Sequence, residues 1–300
     1  MMAPEYYIFT GEVVPDHVTH VLVDKALKFV RKRAFLRHPN IEEVICHDGV
    51  KNIELNAFYQ CRRLRRVIMS GVKEIDEYAF NRCRALTYIE CSKLERIGGC
   101  AFQSCKSLSS IDLPSIKIVE TYAFDDCTNL TNAKLGKDLE SIRGGPLFGG
   151  GAFCDCTSLE RIALPLKGGM LTYNNTFRNC EKLDRIDLVG GIHETVAALL
   201  LEKWKNDMNV EIDSINEILP ITPASCDFEV LTDLEDAEKD PAIQRWMSSV
   251  LRKIVHYKAE HCRYVNEAAA TLQPVLPHDI LFKSVLPFLE LPSHTFDGED

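Results

Sequence analysis

The 300-residue chain lacks the features that mark several large classes of protein. No apolar run approaches the roughly 20 residues that a membrane-spanning helix requires, so membrane insertion is not expected. The stretch from Met1 to Glu12 has no basic region followed by a long apolar one, the signature of a secretory leader. No glycine-rich stretch leads into the Lys-Ser or Lys-Thr of a phosphate cradle: Gly144 to Gly151 is read instead as a surface loop. No paired-carboxylate motif or Ser-His-Asp order stands out, and an enzyme is not expected. A basic excess is also missing, because the formal net charge is -9. Arg31, Lys32, Arg33 and Arg37, and Arg62, Arg63, Arg65 and Arg66, form local basic clusters without a continuous stripe. Duplex affinity comes largely from neutralising phosphates, so nucleic acid is not expected as a partner.

Cysteine, by contrast, is plentiful, with 12 residues. In a short secreted chain that number would indicate a disulfide framework; in a chain of this length without a leader it indicates reduced thiols and a cytoplasmic location. The sequons at Asn129 and Asn174 carry little weight on that reading. Charge is unevenly spread: up to Gly191 there are 26 Lys and Arg against 24 Asp and Glu, whereas the remainder has 9 against 20. The two parts differ in kind.

The first part is repetitive. Ala-Phe recurs at 34-35, 57-58, 79-80, 101-102, 123-124 and 152-153, with Thr176-Phe177 as a seventh variant. Three residues after each Phe comes Cys61, Cys83, Cys105, Cys127, Cys156 or Cys180, with His38 in the first copy. Leu64, Leu86, Leu108, Leu130, Leu159 and Leu183 lie three further on, with Ile41 first. The next apolar positions fall three and five beyond the Leu, as in Ile111 and Leu113, and alternate as a strand does. A further apolar residue, such as Ile75, Ile97, Val119 or Ile142, leads into the next Ala-Phe. One such coil cannot cover its own apolar face, whereas stacked coils merge their Phe, Leu and Ile columns into a continuous core. An incomplete copy begins earlier, with Val18, Val21 and Val23 as its strand.

The pattern A-F-x-x-C-x-x-L-x-x-I-x-L, complete from Ala101 to Leu113, resembles the BspA-type leucine-rich repeat over residues about 18 to 191. The resemblance implies an α/β repeat solenoid: a leucine-rich-repeat stack with a parallel β-sheet on the concave face. It also implies adhesion and protein contacts as the function. The leading expectation is therefore a non-enzymatic protein-protein interaction scaffold whose partner's identity is not in the sequence. The cysteine column invites a metal or redox role. Free Cys packs as a small hydrophobe, and Cys46, Cys91, Cys100 and Cys154 do not complete a zinc pattern, so neither metal nor cofactor is expected.

In L-x-x-I-x-L the second and fourth residues after each Leu face outward. One outward column reads Glu43, Arg66, Tyr88, Ser110, Asn132, Arg161 and Arg185; beside it run Ile45, Ile68, Glu90, Asp112, Lys134, Ala163 and Asp187. Tyr and Arg are the residues that most often carry binding energy, and an outward Ile beside them is unusual. The candidate binding patch is Arg66, Ile68, Tyr88, Glu90 and Asp112.

After Gly190-Gly191 the repeat stops. Ile192, Val196, Leu199, Leu200, Lys203 and Trp204 read as one apolar helical stripe that caps the last coil, and a short helix is expected from Ser214 to Leu219. This gives 1-191 as the solenoid, 192-219 as a helical cap, 220-240 as an acidic linker, and 241-300 as a long helix, a short helix and an acidic tail. Asp240-Pro241 reads as a helix start with Asp as the cap. Ile243, Met247, Val250, Ile254, Tyr257, His261, Tyr264 and Ala268 then repeat at spacings of four and three. Such a seam needs a partner: the 192-219 helices, giving a C-terminal α-helical hairpin, or a second copy of 241-272. The segment Leu276 to Leu289 resembles the opening helix of an F-box, which implies the alternative of a ubiquitin-ligase adaptor with the repeats as substrate receptor. An F-box needs further helices, and Pro287 interrupts the match.

Overall fold

A computed structural model describes residues 5-144, 150-171, 175-223, 239-277, 280, 281, 289 and 291. In chain order the strands are β1 (Tyr7–Phe9), β2 (His20–Val23), β3 (Phe29–Val30), β4 (Glu43–Ile45), β5 (Asn52–Ile53), β6 (Arg66–Ile68), β7 (Glu74–Ile75) and β8 (Tyr88–Glu90). They continue with β9 (Arg96–Ile97), β10 (Ser110–Leu113), β11 (Ile118–Val119), β12 (Asn132–Leu135), β13 (Ser141–Ile142), β14 (Arg161–Pro165) and β15 (Arg185–Val189). Every pairing is parallel and joins one coil to the next. The longer strands form one face, in the orders β1-β2-β4-β6-β8 and β10-β12-β14-β15. The two-residue strands form a second ladder, β13-β11-β9-β7-β5-β3, at the apolar residue that precedes each Ala-Phe. The parallel solenoid expected from the repeat is present, and the second ladder adds a face that the sequence pattern did not announce.

The repeat positions make the core. The seven Phe from Phe35 to Phe177 are buried. Their rings stack coil on coil, with centroids 4.8 Å apart between Phe35 and Phe58 and 5.8 Å between Phe153 and Phe177. Phe9 extends the column by a further ring, 4.6 Å from Phe35. It belongs to β1, a strand that pairs with β2 ahead of the expected partial copy.

Cysteine is explained by its hydrogen bond. Cys61 Sγ donates to the Phe35 carbonyl at 2.8 Å, Cys83 to Phe58 at 3.0 Å, and Cys105 to Phe80 at 3.2 Å. Cys127, Cys156 and Cys180 repeat the contact on Phe102, Phe124 and Phe153. Each thiol fills a small apolar space while satisfying a buried carbonyl of the preceding coil, whose exclusion from water would otherwise be costly. In the first copy His38 does the same: Nε2 faces the Pro15 carbonyl at 3.1 Å, while Nδ1 accepts from the Ile41 N–H. These contacts require the neutral Nε2–H tautomer.

The chain turns between its two ladders through left-handed residues. Arg33, Asn56, Tyr78, Cys100 and Tyr122, just before the Ala, have φ of 55 to 60°, as do Gln60, Arg82, Ser104 and Asp126, two after the Phe, at 56 to 61°. A non-glycine residue there costs on the order of 1 kcal/mol. Bonds to the next coil offset the strain, as in Tyr78 N–H to Gly99 O at 3.0 Å and Arg82 N–H to Gln103 O at 2.8 Å.

The C-terminal part contains α1 (Ile192–Ala197), α2 (Glu202–Asp213), α3 (Ile215–Ile218), a 3-10 turn at Leu219–Ile221, and α4 (Lys239–Leu272). The single stripe expected from Ile192 to Trp204 is two helices: the chain breaks at 198-201, where Leu200 and Leu201 are partly exposed. The α-helical hairpin forms within the chain. Trp204, Asp207 and Glu211 meet Tyr257, Lys253 and Trp246 in reverse order, so α2 and α4 run antiparallel. Lys253 Nζ lies 3.2 Å from Asp207 and 2.9 Å from Glu211, and Tyr257 donates to Asp207 at 2.6 Å. The α4 seam is buried from Ile243 to Ile254 and again at His261, whereas Tyr264 is exposed.

Lys239 and Asp240, placed at the end of a linker, are buried at the start of α4. Asp240 Oδ1 accepts from the Thr176 N–H at 3.0 Å and Oδ2 from the Phe177 N–H at 3.1 Å. The carboxylate caps the last coil of the solenoid. Residues 224-238 of that linker, 145-149 of the glycine-rich loop and most of the F-box-like segment lie outside the described residues. Within that segment Leu281 is buried and Ile280 half-exposed. No described helix is long and apolar enough to cross a membrane.

Candidate functional site

The strand register aligns the outward columns residue by residue. Glu43 pairs with Arg66 and Arg66 with Tyr88; Ile45 pairs with Ile68 and Ile68 with Glu90. Further along, Asp112 pairs with Lys134, Lys134 with Ala163 and Ala163 with Asp187. The ladder is interrupted between β8 and β10. Arg66, Ile68, Tyr88 and Glu90 therefore form one contiguous patch, and Asp112 stands across the break. Burial, with the charges of Asp112 and Glu90, pushes the Cys91 thiol up to about 12.

The register also carries both columns toward the N-terminus, beyond the sequence-derived patch. Ile8 pairs with Leu22 and Leu22 with Ile45, so Ile8, Leu22, Ile45 and Ile68 make one outward apolar stripe. Ile8 is 58% exposed, and the other three are half-buried. The aromatic and apolar run Tyr6, Tyr7, Ile8 and Phe9, rich in strand-forming residues, was a usable signal for the first of these strands.

Beside the stripe runs a connected polar row. Tyr6 donates to Glu43 at 2.7 Å and packs edge-on against the His20 ring at 5.4 Å. Thr19 Oγ1 lies 2.9 Å from His20 Nδ1. Arg66 Nε stands 3.3 Å from Glu43, and its guanidinium lies over the Tyr88 ring at 5.0 Å. Glu90 accepts from Ser70 at 2.5 Å and from Tyr88 at 3.4 Å. The Glu43 carboxylate raises the Tyr6 phenol above its ordinary value through their hydrogen bond. The other half of the face differs: Arg161 and Arg185 both pair with Asp187, and Lys134 stands 3.9 Å from Asp112.

One cluster was not foreseen. Asp125, Cys154 and Asp155 bring three ligand-type atoms within 4.8 Å of one another. Gln103 donates to Asp125 at 2.6 Å, Asn179 to Asp155 at 2.6 Å, and the Cys154 thiol lies 3.4 Å from Asp155. Burial raises Asp125, and burial with the two carboxylates pushes Cys154 up to about 12. A neutral thiol fits this hydrogen-bonded ladder. The lengthened spacing before Ala152 hid the juxtaposition from sequence.

Coils stacked by parallel ladders, the longer strands of which present an outward sheet face, define a leucine-rich-repeat solenoid. The family model described as BspA type Leucine rich repeat region matches six copies, over residues 28-146 and 146-205. The chain belongs to that family. Among solved structures it is similar to the T. pallidum leucine-rich-repeat protein TpLRR, with 24% identity and a TM-score of 0.44, over 66% of this chain and 84% of that one. It is also similar to a leucine-rich-repeat protein from Bacteroides ovatus, with 21% identity and a TM-score of 0.30, over 57% of this chain and 61% of that one. A third similar structure, the pneumococcal vaccine antigen PcpA, has 12% identity and a TM-score of 0.39, over 59% and 44%. No curated protein matches the chain.

Proposed function

We propose that the chain is a non-enzymatic, cytoplasmic scaffold that binds another protein on the outward face of β1, β2, β4, β6 and β8. The observation that carries this reading is the contrast within one sheet. Four consecutive outward apolar residues, Ile8 to Ile68, stand beside the Tyr6, His20, Glu43, Arg66 and Tyr88 row, whereas the outward residues of the β10 to β15 half are mostly charged or polar, with Ala163 and Val189 as exceptions. Tyr and Arg held by neighbours on a rigid sheet lose little freedom on binding, which favours affinity. The F-box adaptor reading gains no support from the described residues.

The test compares crosslinking affinity purification with two variants. Arg66→Glu with Tyr88→Ala is expected to abolish partner recovery without changing the circular dichroism. Asn132→Arg with Lys134→Glu, on the charged half, is expected to leave it intact. Recovery indifferent to the first pair would overturn the reading.

A further inference from the structure

The binding face has a direction and a charge at one end. Ile8, Leu22, Ile45 and Ile68 follow one another across the strands, so the stripe advances by one strand spacing per residue, about 4.8 Å, and spans about 14 Å. The next position is Glu90. Its oxygens take hydrogen bonds from Ser70 and Tyr88, and among the described residues it has no cationic partner. Asp112, beyond it, stands 3.9 Å from Lys134, with both side chains largely exposed. The stripe thus runs from an apolar end at Ile8 to an acidic end at Glu90 and Asp112. The Tyr6 to Tyr88 row walls one side.

The spacing selects the shape of the occupant. Same-face residues of an extended peptide recur every 6.6 to 6.8 Å by the usual strand rise, about one and a half strand spacings, and fall out of step across the stripe. Turns of an α-helix recur every 5.4 Å or so, close to one turn per strand, and about nine or ten helical residues cover 14 Å. Apolar residues at i, i+3 or i+4, i+7 and i+10 or i+11 would lie along the stripe. The following turn would reach Glu90 and Asp112, where a Lys or Arg would give Glu90 a cationic partner and Asp112 a closer one than Lys134 at 3.9 Å.

We propose that the face between Ile8 and Asp112 is a docking site for an amphipathic α-helix of a partner protein, laid across the strands, with its apolar stripe on Ile8, Leu22, Ile45 and Ile68 and a basic final turn at Glu90 and Asp112. The proposal rests on the scaffold reading above and adds the secondary structure, direction and charge of the ligand. Arg66 and Tyr88 flank the helix, and the charged β10 to β15 half lies beyond its basic end.

The test presents the full-length protein with two phage-displayed libraries of equal size, one randomised on a single helix face and one linear and unstructured. The expected result is enrichment from the helical library of apolar residues at i, i+3 or i+4, i+7 and i+10 or i+11 with Lys or Arg in the terminal turn that follows. By fluorescence anisotropy, a selected synthetic peptide should bind Glu90→Arg with Asp112→Arg about tenfold more weakly, as expected for a lost charge-assisted contact. A peptide whose basic turn is changed to Glu should regain that affinity on the same variant, whose fold is checked by circular dichroism. Enrichment of extended or acidic sequences, no enrichment over blank beads, or failure of the charge swap would overturn the proposal. If the natural partner's recovery still depends on Arg66 and Tyr88 in that event, the scaffold reading stands and only the helical ligand falls.

Discussion

At the scale of single residues, backbone groups left open by the coil are closed by whichever side chain can reach them. Asp240 closes the N–H groups of Thr176 and Phe177; in earlier coils the Phe N–H finds a carbonyl of the next coil, as Phe102 N–H finds Ala123 O at 2.8 Å, and the Ala N–H before it one of its own, as Ala101 N–H finds Gly98 O at 3.2 Å. Asp240→Ala should therefore destabilise the protein by about 3 kcal/mol in urea unfolding, the loss of two hydrogen bonds to a charged acceptor, and Asp240→Asn by less. His38, standing in the cysteine column, gives a pH dependence. Its burial lowers its pKa from 6.5, so the unfolded chain takes up the proton first. Stability from this site is present above about pH 6.5 and lost as pH falls below it. Urea midpoints measured from pH 7.5 down to 5.5 should fall, and His38→Gln should flatten the dependence. The cysteine column was legible as packing from its spacing alone. Its hydrogen bonds were not, because the accepting Phe belongs to the preceding coil, about 25 residues away. The left-handed positions were equally silent: Arg, Tyr, Gln and Cys occupy places where glycine would have announced a turn.

At the scale of elements, the helices divide into parts that read clearly and parts that do not. The α4 seam was visible because Ile243, Met247, Val250 and Ile254 keep one period and are all buried. The break between α1 and α2 was invisible, since Leu199, Leu200 and Leu201 continue an apolar run through it, and the position of Asp240 depended on a tertiary contact 64 residues away in sequence. The outward columns were legible because the side-chain period of a strand is two, but their N-terminal extension needed the register of β1 against β2. Because α4 holds α2 through Trp246, Lys253 and Tyr257, Ile243→Asp should loosen both ends of that contact. The expected outcome is faster hydrogen exchange in α1, α2, β14 and β15, with β4 to β8 unchanged; a uniform rise would count against a locally docked cap.

At the scale of the molecule, a stack in which each coil touches only its neighbours has stability that varies along its length. Both β1 and β15 pair on one side only, but the C-terminal end is covered by α3 and by Asp240 of α4. Hydrogen exchange should therefore be slowest in the central coils, around Phe80 to Phe124, and faster at β1 than at β15. The three side chains that close the C-terminal end form a set: Asn216 accepts from the Ile186 N–H of the last strand at 2.9 Å, Asp240 from Thr176 and Phe177, and Lys239 donates to the carbonyls of Glu181 and Leu183. At the Phe177 N–H the Asp240 carboxylate presents to the last coil the acceptor that another coil's backbone carbonyl would have offered. The terminator thus imitates a repeat without being one, and it addresses only the coil immediately before it. The number of coils is consequently free to change: a unit of 22 residues duplicated between Ala79 and Ala123 would lengthen the binding face while the ending machinery met the same final coil as before.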